Sequence, residues 1–194
     1  MNPNILWVVV AVIAVLIIAA LVYVANRQRQ SKLIRDKFGP EYDYAVKKAG
    51  GDTAHAEAEL RERAARVEQY RIRPLSATER DRFSRDWRAI QSMFVDQPEI
   101  AVQKADKMIG EVMHARGYPV GDFEQRTSDI SVDHPGAVSE YRVAHGLTVA
   151  RERGEDNTEN LRQAMVHYRN LFEELVMDRP AASTVREEER RDQA

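Results

Sequence analysis

Ser76–Pro98, SATERDRFSRDWRAIQSMFVDQP, decides the class of structure this chain adopts. Ser76 and Glu79 stand at capping-box spacing, each side chain placed to satisfy a free backbone N–H at a helix start. Phe83, Trp87, Ile90 and Phe94 follow at i, i+4, i+7 and i+11, which puts large apolar groups on one face of a helix. Val95-Asp96-Gln97-Pro98 then opens a second helix, because proline in the first turn gives up an N–H that had no partner there. A capped helix, a heavy apolar face and an immediate restart predict neighbouring helices packed in a bundle.

The same pattern continues toward the C-terminus. The helix from Pro98 carries Ala101, Ala105, Met108, Ile109, Val112 and Met113 on one stripe and is expected to stop at Gly117, where glycine suits a left-handed C-cap. Tyr118-Pro119-Val120-Gly121 reads as a connector and Asp122 to about Ile130 as a short helix. Val132-Asp133-His134-Pro135 starts another helix, running to Arg153-Gly154 with Val138, Tyr141, His145 and Thr148 facing one way. After a polar turn at 155–157, Leu161, Ala164, Met165, Tyr168, Leu171, Phe172 and Leu175 form the strongest amphipathic stripe in the chain. Arg179-Pro180 ends it, and 179–194 is expected to be a disordered charged tail. Toward the N-terminus, Asp52 caps a helix reaching to about Arg71, with Leu60, Ala64 and Val67 on a narrow stripe. Its Glu and Arg residues pair in sequence at i, i+4 (Glu57–Arg61, Glu59–Arg63, Glu62–Arg66) and read as a solvated face.

At the start of the chain, Ile5 through Ala25, ILWVVVAVIAVLIIAALVYVA, is an unbroken run of 21 apolar residues. At about 1.5 Å per residue it matches a hydrocarbon core of about 30 Å. Trp7 and Tyr23 fall near its ends, where amphipathic rings favour the headgroup level. MNPN before it lacks the basic n-region of a cleaved signal. Arg27, Arg29, Lys32, Arg35 and Lys37 crowd the following segment against Asp36 alone, which predicts the N-terminus outside and the rest in the cytoplasm. The same cluster suits anionic headgroups. The expected fold is therefore all-α: one transmembrane helix in 1–26 (span 5–25), a basic juxtamembrane helix and linker over 27–51, and a soluble antiparallel bundle of four or five main helices over 52–178.

Composition narrows function more by exclusion. With 29 basic and 31 acidic residues the charges nearly cancel, so nothing selects for nucleic acid. The absence of cysteine removes disulfides, thiolate metal sites and a cysteine nucleophile. The five histidines form no HExxH, and no phosphate-binding glycine loop or GxSxG elbow is present, so no cofactor or metal is expected. VDQP at 95–98 and VDHP at 132–135 suggest a repeat, but Asp with Pro is a recurrent way to start a helix and two matches do not establish one.

The best candidate contact is the irregular polar region around Tyr118, Asp122, Phe123, Glu124 and Arg126 with Asp129, Asp133 and His134, because loops between rigid helices carry binding residues. It supports a non-enzymatic, membrane-tethered module that holds a protein partner or a second copy of itself. A rival reading makes Asp133 and His134 an acid–imidazole pair in an enzyme or small-ligand site. A third makes the chain an accessory subunit of a larger membrane complex, which predicts a large exposed apolar patch. FVDQPEIAVQKAD, RGYPVGDFEQR, SVDHPGAVSEYR and LRQAMVHYRNLFEEL resemble a group of bacterial single-pass membrane proteins with no assigned activity. That resemblance implies a bacterial inner membrane and brings no site residues with it.

Overall fold

In the computed structural model the capping box forms as its spacing requires. The Glu79 N–H donates to Ser76 Oγ at 3.3 Å, and the Ser76 N–H donates to Glu79 Oε2 at 2.8 Å. The structure describes residues 3–152 and 158–177, with side chains described at 13, 15–149 and 158–177. The turn at 155–157 and the tail at 179–194 lie outside the described residues, as does the side chain of Trp7. Among the described residues the chain forms α-helices and no strand: α1 (Pro3–Phe38), α2 (Pro40–Lys48), α3 (Thr53–Val67), α4 (Ala77–Met93), α5 (Pro98–Arg116), α6 (Phe123–Asp133), α7 (Pro135–Glu152) and α8 (Thr158–Met177).

Its contacts divide the chain into Met1–Lys37 and Phe38–Ala194. In the first unit α1 is one continuous helix on which Tyr23, Arg27, Arg29 and Lys32 are exposed. Among the described residues no helix is long and apolar enough to cross a membrane. Side chains of 5–12 and 14 within the apolar run lie outside the described set.

The second unit is a helical bundle. Phe83, Trp87 and Ile90 of α4 and the expected stripes of α5 and α8 are buried in one contiguous core, joined by Ala137, Val138, Tyr141 and Ala144 of α7. Trp87 stacks on Phe172 with centroids 4.6 Å apart. Arg116 at the end of α5 donates to the Leu175 carbonyl at 2.6 Å and Tyr168 reaches Asp106, so α5 and α8 run side by side in the same direction rather than antiparallel as expected. Both Asp-Pro segments are helix starts, at Pro98 and Pro135.

Two boundaries also differ from those expected. The compact unit begins at Phe38 rather than Asp52, because Glu41, Tyr42 and Ala45 of α2 are buried in it. And α3 ends at Val67 instead of near Arg71, because 68–75 leave the helix to lie along α5. There the Arg73 N–H donates to the Arg116 carbonyl at 2.8 Å, and Tyr70 and Ile72 pack on the core.

Candidate functional site

Helix α6 positions most of the polar region singled out above. Its N-cap is Asp122, whose carboxylate accepts the Gln125 N–H at 2.8 Å. Two turns on, Asp129 is 1% exposed, and three neighbours meet its charge. Arg66 Nε donates at 3.2 Å, Gln125 Nε2 at 2.8 Å and Tyr70 Oη at 3.4 Å. Burial and then the Asp129 charge push the Tyr70 phenol above its ordinary range. Arg66 also reaches Ser128 Oγ at 2.9 Å, so this guanidinium joins α3 to α6.

A second buried carboxylate joins α2, α3 and α7. The Glu41 side chain is fully enclosed and accepts Arg63 Nη1 at 2.8 Å and Arg142 Nη2 at 2.9 Å. Arg142 binds both Glu41 oxygens and lies 3.7 Å over the Tyr44 ring. Arg63 is also held by Glu59, and these partners outweigh burial to raise its pKa. In return the Arg63 hydrogen bond lowers the Glu59 carboxyl. Removing either partner of such a buried pair leaves an uncompensated charge, at a cost of about 3–5 kcal/mol.

Between these two clusters runs an open cleft of about 300 Å³. Lys48, Glu59, Arg63 and Arg66 form its wall on the α2–α3 side, while Asp122, Glu124 and Ser128 of α6 and Arg142 of α7 face them. The cations Lys48, Arg63, Arg66 and Arg142 meet the carboxylates Glu59, Asp122 and Glu124 at the lining and Glu41 and Asp129 behind it, so the cleft has no strong net field. Within it the charges are unequally used. The arginines and Glu59 are consumed in pairs, whereas Lys48 and Glu124 form no ion pair among the described residues.

The other candidates go elsewhere. Tyr118 is 1% exposed and donates to Asp133 Oδ2 at 2.8 Å, and burial pushes its phenol far above the ordinary range. His134 is buried with Nδ1 3.1 Å from Glu174 of α8. Asp133 and His134 therefore each face a different partner and are not hydrogen-bonded to one another. Phe123 stacks on His145 at 3.7 Å between centroids and meets the Tyr141 edge at 4.9 Å. Arg126 turns inward, with Nη2 3.4 Å from Asp106 and its guanidinium carbon 5.5 Å from the Tyr141 centroid. Tyr168 donates to the same Asp106 at 3.2 Å. Burial first, and Asp106 second, raise both the Tyr141 and Tyr168 phenols.

Asp122 and Glu124 are thus the two candidates that share a cleft, and Tyr118, Phe123, Arg126, Asp133 and His134 hold helices together. Sequence reasoning missed Glu41, Arg63, Arg142 and Asp106. One signal for Arg63 was available: Ala56, Leu60, Arg63 and Val67 follow core spacing, so Arg63 lies on the buried stripe of α3. Among the described residues no three His, Asp or Glu side chains are grouped to hold a metal ion. Comparison with protein-family models, with characterised proteins and with solved structures finds no match.

Proposed function

We propose that this chain is a single-pass membrane protein whose helical bundle is a non-enzymatic contact module at the cytoplasmic face, gripping a protein partner at the start of α6. The observation that carries the reading is the division of labour among charges. Glu41, Asp129 and the arginines are committed to internal pairs, while Glu124 and Lys48 are exposed on opposite walls of an open cleft and form no salt bridge among the described residues. Exposed charge on a rigid rim gives specificity and encounter rate. The anchor is supported by the 21-residue apolar run of 5–25 followed by Arg27, Arg29, Lys32, Arg35 and Lys37. The resemblance to bacterial single-pass proteins supports an inner membrane as the location.

Two experiments test this. Membranes carrying the full chain are extracted at alkaline pH: retention supports a span, and release of the protein removes the anchor from the account. In-cell crosslinking followed by mass spectrometry then compares the wild type with the double variant Asp122→Lys, Glu124→Lys, using 1–37 alone as control. A partner lost in the variant while its helical circular dichroism persists supports the contact. An unchanged set of partners overturns it. Crosslinks to a second copy would identify self-association as the contact.

A further inference from the structure

The contiguous apolar core is built from α4, α5, α7 and α8 with Leu75, Tyr118 and Ile130. Phe38, Tyr42, Ala45, Ala56, Leu60 and Val67, with Val132 of α6, are also buried but stand outside it. The first six belong to 38–67, the end of α1 with α2 and α3. Within this hairpin Tyr42 Oη donates to Glu57 at 3.2 Å.

The hairpin meets the bundle through a seam of different chemistry. Glu41 of α2 is gripped by Arg142 of α7, whose guanidinium also covers Tyr44. Arg66 of α3 reaches Asp129 and Ser128 of α6. Burying such ions costs desolvation that their mutual attraction roughly offsets, so the seam fixes geometry while contributing little net docking energy. It is also all-or-none. Once water enters, each carboxylate and guanidinium is hydrated, and their attraction falls to about 1 kcal/mol or less and is screened beyond about 10 Å. The open cleft already admits solvent along this seam.

We propose that 38–67 is a latch: a hairpin docked by the Glu41–Arg142 and Arg66–Asp129 seam that opens as a unit while the bundle from Leu75 to Met177 stays folded. Elements with few shared apolar contacts open at lower free energy than a continuous core. Opening dismantles the cleft, since the hairpin supplies one wall and α6 and α7 the other. The latch therefore switches the partner contact, a consequence that rests on the functional reading above. The opening itself does not rest on it.

Native-state hydrogen exchange on the full chain in detergent, read by mass spectrometry, tests the latch. Amides of α2 and α3 should exchange at least about tenfold faster than those of α5 and α8. Glu41→Gln, and Arg142→Met from the other side of the seam, should each raise exchange in α2 and α3 at least about tenfold further and leave α5 and α8 unchanged. Equal protection throughout the wild-type bundle overturns the proposal, whatever the variants do. So does a variant that loosens α5 and α8 as much as the hairpin, or a seam variant without effect. If exchange follows the prediction but crosslinking from position 124 is indifferent to Glu41→Gln, the latch stands and its control of the contact is refuted.

Discussion

Replacing Gly117 by alanine puts the packing of α3, α5 and the segment between α3 and α4 to a quantitative test. Gly117 closes α5 at φ +101°, a left-handed conformation costing an L-residue about 1–2 kcal/mol. An added Cβ would lie 2.4 Å from the Arg71 carbonyl oxygen and 3.1 Å from its carbon, both rigid backbone. Relieving that overlap pushes 71–73 off α5 and strains the Arg73 N–H bond to the Arg116 carbonyl, a loss of about 1 kcal/mol. Together these give about 2–3 kcal/mol. At about 3 °C per kcal/mol for a domain of this size, Tm should fall by about 6–9 °C. Gly146→Ala is the internal contrast: it lies within α7, has nothing within 4 Å of an added Cβ, and should gain about 0.5–1 kcal/mol from helix propensity. Thermal melts of the two variants by far-ultraviolet circular dichroism therefore move in opposite directions. A Gly117→Ala melt within 2 °C of wild type would refute the close approach of Arg71 to α5, on the same scale of about 3 °C per kcal/mol.

Ile109→Ala removes a fully buried side chain at the centre of α5 and should cost about 2–5 kcal/mol in a denaturant titration, with exchange rising across α4, α5, α7 and α8 together. Glu79 is held well below its ordinary pKa by Arg73 first and by the Ser76 backbone next, so its contribution is present above about pH 4.5 and lost as pH falls through the folded value. Glu79→Gln should flatten the decline of Tm between about pH 5 and 3, and a slope identical to wild type would contradict the box. The buried phenols of Tyr118, Tyr141 and Tyr168 have raised pKa values, so the unfolded chain releases these protons first and stability falls as pH rises above about 10. Tyrosinate absorbance should then appear in step with unfolding; titration of all tyrosines in a folded protein would count against their burial.

Apolar periodicity and cap chemistry made α4, α5, α7 and α8 legible, because Ser76, Pro98, Gly117 and Pro135 act through local backbone geometry that one helix settles by itself. The seam was not legible, because it is a tertiary property. Glu59–Arg63 looks like a solvated i, i+4 pair until α2 brings Glu41 against Arg63 from 22 residues away, and α7 brings Arg142 from 101 residues away. Likewise Asp133-His134 reads as an acid–base pair only while its surroundings are unknown. Once Tyr118 takes one member and Glu174 the other, the two side chains have separate partners. Asp122 and Glu124 are exposed at the start of α6, where capping uses one carboxylate oxygen of Asp122.

Site-specific photocrosslinking in cells tests the contact surface most directly. A photoreactive residue is placed at 124 in the full-length chain, with the same group at Arg85 on the exposed face of α4 as control. The account predicts a defined adduct from 124 that is absent from 85 and lost with Asp122→Lys. Equal adducts from both positions, or none from 124 while α4 yields a specific one, would contradict the assignment of the α6 rim as the partner-holding surface.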